Sequence, residues 1–456
     1  MRNTPPDLPR RGDRLALALR ALGAPRRYIR PWYLAYLLLG MVTAGLLPVL
    51  LPLIIEALSH SLATVAYVIG AYNFGLLTSP LWGMAAERGK AYRALFLGSF
   101  LLTGAGIAAL LLLLQTATGW LVSAFAIGAG SGGAATLATL FVVDFAPQAE
   151  WEPRIGWLQS FNAAGQVVGL MVAAVFSSGH FATALWVSVA LLVLAMALGG
   201  LGLPAAASLH AQDSAKPHKP VHVHLDIRAL AIFPKLSLPS DIGLHFYHLN
   251  LHGLRGLPKT FGTPFGRFLL SWFVLAFAVA ALFSYFPLML AHSYGISARA
   301  SALIYAVTAA VGIALYILTS RLTARYGAGR IYRLGLYLRI AGFALLFAPF
   351  APGVADRSAF GVVGFAVIVI AWPLLSVAGT DLGASLTPFS EGAAVGLLNA
   401  ALALATALGI VCSGPLVARW GYAAVPATAL AGLVLSVALS RSPRPPRAAP
   451  AGAPHP

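Results

Sequence analysis

What most constrains this chain is the spacing of its charges. Apolar runs of roughly 20 residues alternate with short polar gaps, and a helix needs about that length to cross the hydrocarbon core of a bilayer. The runs fall at 32–55, 62–85, 93–115, 119–143, 156–178 and 182–203. After a long polar gap they resume at 268–291, 299–320, 330–350, 359–380, 392–414 and 422–440. Lipid offers the backbone no hydrogen-bond partner, so runs of this length must form helices. Only 9% of the residues are charged, whereas a soluble domain carries roughly 25%. An all-α membrane protein of about twelve spans is expected, and a soluble globular domain is excluded.

The net charge of +17 does not imply nucleic acid, because the cations do not gather on one folded face among stacking aromatics. With the N-terminus inside, the N-terminal tail, the gaps after spans 2, 4, 6, 8 and 10 and the C-terminal tail hold 26 of the 30 Lys and Arg. That is the positive-inside arrangement, and it puts both termini in the cytoplasm of a bacterial inner membrane. The partners expected are the lipid bilayer and a small-molecule substrate. No cleavable signal peptide is expected, since the first apolar run is too long for a signal h-region. Cys412 is the single cysteine, so no intrachain disulfide can form.

The chain repeats itself. The gap after span 2 carries Gly83, Glu87, Arg88, Lys90 and Arg93, and the gap after span 8 carries Ser320, Ala324, Arg325, Gly327 and Arg330. Placing Arg88 on Arg325 and Arg93 on Arg330 sets an offset of 237 residues, which also carries Asp144 onto Asp381 and Asn162-Ala-Ala onto Asn399-Ala-Ala. Acids number only 13, so these matches indicate two related six-helix halves. The layout expected is a basic tail at 1–30, one six-helix bundle at 31–203 and a central cytoplasmic loop at 204–266. A second bundle follows at 267–440, then a Pro/Arg tail at 441–456. Parallel repeats joined by a long inside loop suit a transporter that rocks about a midplane site.

With these features the chain resembles the major facilitator superfamily over roughly residues 31–440. The family's loop between helices 2 and 3 carries the pattern G-x-x-x-D-R-x-G-R-R, with a weaker copy between helices 8 and 9. Gly83, Glu87, Arg88, Lys90 and Arg93 look like that pattern with Glu for Asp and one residue deleted. In the second copy Arg325, Gly327 and Arg330 match, while Ala324 and Ser320 depart from it. The resemblance implies a cytoplasmic latch built from Gly83, Glu87, Arg88, Arg93, Asp144, Arg325, Arg330 and Asp381. In it Glu87 would face the start of helix 11, and Arg88 or Arg93 would pair with Asp144. The resemblance also implies a monomer. Two departures weigh against a proton-coupled drug antiporter: helix 4 has no Arg ahead of its glycine run, and Gly165-Gln-Val-Val-Gly169 is followed by Leu170 rather than Pro. Both glycine runs read first as close helix packing.

Ionisable residues deep in a span mark function, and here they are scarce. Glu56, Asp144 and Asp381 lie near span ends, with Arg339 a turn or two inside span 9. A neutral or amphiphilic organic solute is therefore expected. The substrate cavity is assigned to Tyr72 and Asn73, to Gln159, Asn162 and Gln166 on one face of span 5, and to Tyr305, Trp372 and Asn399. Interhelical hydrogen bonding is the alternative role for each.

The central loop holds seven of the eleven histidines. Val221-His-Val-His-Leu-Asp-Ile-Arg228 alternates strictly and reads as a strand, part of a short β-hairpin. His222, His224, His245 and His248 are weak metal candidates, because imidazole suits Zn²⁺, Ni²⁺ and Cu²⁺ but no cysteine or acid cluster accompanies them.

The leading expectation is a secondary transporter, for efflux or uptake, working by alternating access without bound cofactor or catalytic residues. No P-loop points to ATP, and no HExxH or GxSxG points to an enzyme. The alternatives are a metal-ion exporter with a His-rich regulatory loop, and a non-transporting sensor or partner subunit of the same fold.

Overall fold

The computed structural model describes residues 28–203 and 263–440, apart from short gaps at 90, 113–115, 147–149, 178, 352–355 and 388–390. The β-hairpin and the metal candidates of the central loop lie outside the described residues. Among the described residues there is no strand. The first half comprises α1 (Tyr33–Ser59), α2 (Leu62–Leu76, continuing after a short turn as Ser79–Gly89), α3 (Tyr92–Leu112), α4 (Ala117–Phe145), α5 (Trp151–Phe176) and α6 (Phe181–Gly202). The second comprises α7 (Pro264–Tyr294), α8 (Ala298–Tyr326), α9 (Ala328–Phe347), α10 (Arg357–Leu386), α11 (Glu391–Trp420) and α12 (Ala424–Ser440). Among the described residues, eleven helical runs are long and apolar enough to span a bilayer. The last, Leu397–Ser440, joins most of α11 to α12 across a 3₁₀ turn at Gly421–Ala423, which accounts for the twelve helices among the described residues.

Five of the helices start where the sequence supplies a side-chain acceptor for their free N–H groups. Ser61, Thr116, Thr263, Ser297 and Asp356 cap α2, α4, α7, α8 and α10 through their side-chain oxygens. Gly295, at φ 68°, closes α7 in the left-handed conformation. The polar gap after the second span is itself helical, so Gly83, Glu87 and Arg88 ride on the last turns of α2. In α1 the ladder widens to a π turn over Met41–Leu46, just before Pro48. Proline lacks an N–H and its ring crowds the carbonyl four residues back, so one wider turn accommodates it.

Packing repeats with the sequence. α1 lies against α5 and α6 as α7 lies against α11 and α12; α4 lies against α2 and α3 as α10 lies against α8 and α9. Between halves, α2 meets α11, α5 meets α8 and α1 meets α7. Glycine allows the closest of these approaches. A methyl at Gly165 or Gly169 would overlap the backbone of Leu37 or Met41 on α1, and one at Gly128 the backbone of Tyr72 on α2. Small residues spaced by four let helix backbones touch where lipid provides no hydrophobic drive.

The halves meet at the end of the bundle that carries the α1–α2 and α7–α8 connections. There the Tyr285 hydroxyl donates to the Leu62 carbonyl at 2.8 Å. Gly414 of α11 sits over Ala66, with only 3.0 Å left between Ala66 Cβ and a Cβ placed on the glycine. Val411 packs on Gly70 at the same boundary.

Candidate functional site

A cavity of about 150 Å³ lies at mid-depth where the two halves face each other. The π turn and the stretch after it present Thr43, Ala44, Leu47 and Leu51 of α1; across from them stand Val279, Ala280 and Phe283 of α7. α2 adds Ile69, Tyr72 and Asn73, α5 adds Gln166, and α8 adds Tyr305. α9, α10 and α11 complete it with Arg339, Trp372, Leu402 and Thr406. A mainly apolar wall with a few convergent polar groups is the usual form of a small-molecule site.

Most of the polar groups are already engaged. Thr43 and Thr406 donate to the carbonyls of Leu39 and Leu402 one turn back, at 2.9 and 2.7 Å. Their methyl groups then serve as apolar wall. Gln166 and the Tyr305 hydroxyl hydrogen-bond to each other, joining α5 to α8 across the boundary between halves. Asn73 donates to the Ile69 carbonyl at 2.8 Å, which orients the amide and leaves its Oδ1 buried without a partner.

Arg339 differs from the rest. It is the twelfth residue of the 20-residue α9, its side chain is 3% exposed, and it lines the cavity. Its guanidinium carbon lies 5.2 Å from the centre of the Trp372 ring, close enough for a cation–π contact. The hydroxyls of Tyr305, Tyr316 and Tyr332 are its other electrostatic neighbours. Among the described residues no acid lies within ion-pair distance of it, and its Nε is buried without a hydrogen-bond partner.

Five of the eight residues assigned to the cavity from the sequence line it: Tyr72, Asn73, Gln166, Tyr305 and Trp372. Gln159, Asn162 and Asn399 are not among the residues lining it. Asn162 is instead wedged between helices, its backbone and amide filling the space above Gly40 and its Nδ2 reaching the Tyr36 carbonyl at 3.5 Å. Gln159 is buried one turn nearer the start of α5. Asn399, the repeat partner of Asn162, keeps a buried Nδ2 with no partner. Arg339, expected a turn or two inside its span, stands near the middle of α9. Its signal was its depth, since no other Lys or Arg lies more than a turn inside a span.

The latch residues are seen in part. The side chains of Glu87, Arg88 and Asp144 lie outside the described residues. Arg93 donates to the Gly200 carbonyl and ties the start of α3 to the last turn of α6. Arg325 is exposed over the ring of Tyr326, Arg330 is exposed, and Asp381 is half-buried near the end of α10.

The profile of the Major Facilitator Superfamily matches residues 32–391. No curated protein matches at a significant level. Among solved structures, the nucleoside transporter NupG superposes with a TM-score of 0.63 at 15% identity, covering 94% of this chain and 97% of that one. A partially occluded, inward-open form of the xylose transporter XylE from E. coli gives 0.60 at 14% identity, covering 90% and 95%. The human organic anion transporter MFSD10 gives 0.51 at 16% identity, covering 91% and 100%. At these identities the likeness concerns the fold.

Proposed function

The chain belongs to the Major Facilitator Superfamily, and on that footing we propose that it is a secondary transporter moving a small organic solute by alternating access. The observation that carries the reading is the position of the cavity. It draws on both repeats at mid-depth, so a rocking of one half against the other would expose it first to one side and then to the other. Family membership and apolar helices make it a multi-pass membrane protein. The placement of Lys and Arg supports cytoplasmic termini in a bacterial inner membrane. In that orientation the end where Tyr285 meets Leu62 and Gly414 meets Ala66 is the outer one, which supports reading this state as inward-facing. The latch carried by Glu87, Arg88 and Asp144 would then hold the cytoplasmic end shut in the opposite state, through paired charges between helix ends.

The test is a reversible lock on the outer end. In a Cys412→Ala background, cysteines at Ala66 and Gly414 face each other across α2 and α11. Oxidising them is expected to abolish substrate movement in proteoliposomes while leaving binding from the open side intact, and reduction restores movement. Unchanged transport in the oxidised protein would rule out rocking about this boundary.

A further inference from the structure

We infer that the cavity is an anion site, in which Arg339 receives the carboxylate of a small organic acid that also offers a hydrogen-bond donor to Asn73. This rests on the cavity being where the transported solute binds. Arginine does not lose its proton in proteins, so the positive charge at mid-depth is permanent. A charge there is costly, of order 3 kcal/mol even on the lenient insertion scale, and residues that bear it mark substrate pathways. Trp372 and the hydroxyls of Tyr305, Tyr316 and Tyr332 surround the guanidinium with partial negative charge but with no counterion. Its buried Nε still lacks an acceptor.

The fork of a guanidinium matches a carboxylate with two parallel hydrogen bonds, which a ring face does not supply. Arg339 is the one charged side chain on the wall, so the site balances a single negative charge better than a phosphate dianion. On α2, Asn73 Oδ1 is a buried acceptor facing the same cavity, and it asks for a hydroxyl or N–H on the ligand. The apolar and aromatic wall between them fits a hydrocarbon or aromatic body. A hydroxylated aromatic or alicyclic carboxylate meets all three requirements.

The experiment follows thermal unfolding of the purified full-length protein against acids paired with their own amides. 4-Hydroxyphenylacetate against 4-hydroxyphenylacetamide is the first pair, with a hexose and a nucleoside as neutral members. The acids are expected to raise the melting temperature with concentration, each at least tenfold more tightly than its amide. Arg339→Gln is expected to erase the difference between acid and amide, and Arg339→Lys to keep part of it. The acid–amide comparison on the unaltered protein does not depend on either variant folding. An amide that stabilises as well as its acid overturns the inference. So does a neutral solute whose effect survives Arg339→Gln, and so does the absence of any shift with the acids. Uptake of the bound member into proteoliposomes separates the two readings. A neutral solute carried independently of Arg339 sinks the anion site and keeps the transporter. An acid bound through Arg339 but never moved keeps the site and sinks transport.

Discussion

Two glycine-to-alanine changes should act in opposite directions, and the sign of each can be worked from the structure. Gly98 lies in α3 with nothing within 4 Å of where a Cβ would be placed, so Gly98→Ala meets no neighbour. It should stabilise the protein by up to about 1 kcal/mol, the gain from replacing glycine in a helix interior. Gly169 lies in α5, where an added Cβ would stand 2.8 Å from Met41 C and 2.9 Å from Met41 Cα, and would overlap the Met41 carbonyl oxygen. These are backbone atoms and cannot swing aside. Reaching an ordinary carbon–carbon separation of about 3.5 Å requires α1 and α5 to part by at least roughly 0.7 Å, and clearing the carbonyl oxygen requires more. Overpacking of that kind costs about 1–3 kcal/mol. Since both changes share the propensity term, that range is also the expected difference between the two variants. Met41 begins the π turn that builds the cavity wall, so Gly169→Ala should weaken solute binding as well. Unfolding of the two purified variants side by side, in one detergent, measures the difference directly. Equal stability, or a Gly169→Ala protein more stable than Gly98→Ala, would refute the claim that the backbones touch here.

Two further outcomes bear on the transport cycle. Tyr305→Phe removes the hydrogen bond between α8 and Gln166 of α5 and should weaken the contact between the halves by about 1 kcal/mol, a roughly fivefold shift toward the state in which they part there. Distance measurements between spin labels on α5 and α8 would read it, and an unchanged distribution would count against the bond as a gate. Asp144→Asn should weaken the outward-facing state by removing one charge of the latch. Labelling of single cysteines from each side in the Cys412→Ala background tests this, and identical labelling would remove the latch from the account.

Much of the site was legible before folding, and the misses have a common cause. Tyr72, Asn73, Gln166, Tyr305 and Trp372 were found because a polar or aromatic group inside an apolar run needs a partner or water, and the cavity supplies it. Asn162 passed the same filter and failed. Its amide finds its partner on the neighbouring helix, at Tyr36, beside a glycine that makes room for it. Nothing in its local sequence separates that outcome from a place in the cavity. Arg339 was visible as a lone cation, and the structure sets its depth as the twelfth residue of the 20-residue α9.

The sequence by itself determined the number of helices, their approximate ends and the duplication. Lipid contact and the demand for satisfied backbone groups act on each segment alone, and the repeat is written in matching acids and amides at one offset. Which face of each helix meets the cavity, and which meets lipid or a neighbour, was decided only by the tertiary structure. The physical reason is that these helices are apolar on all sides, so periodicity does not mark an inner face. Contact is set instead by where glycines let backbones close together and where a proline widens a turn, as Gly165 and Gly169 do against α1 and Pro48 does within it. Those choices brought Arg339 and Asn73, from opposite halves of the chain, into one cavity.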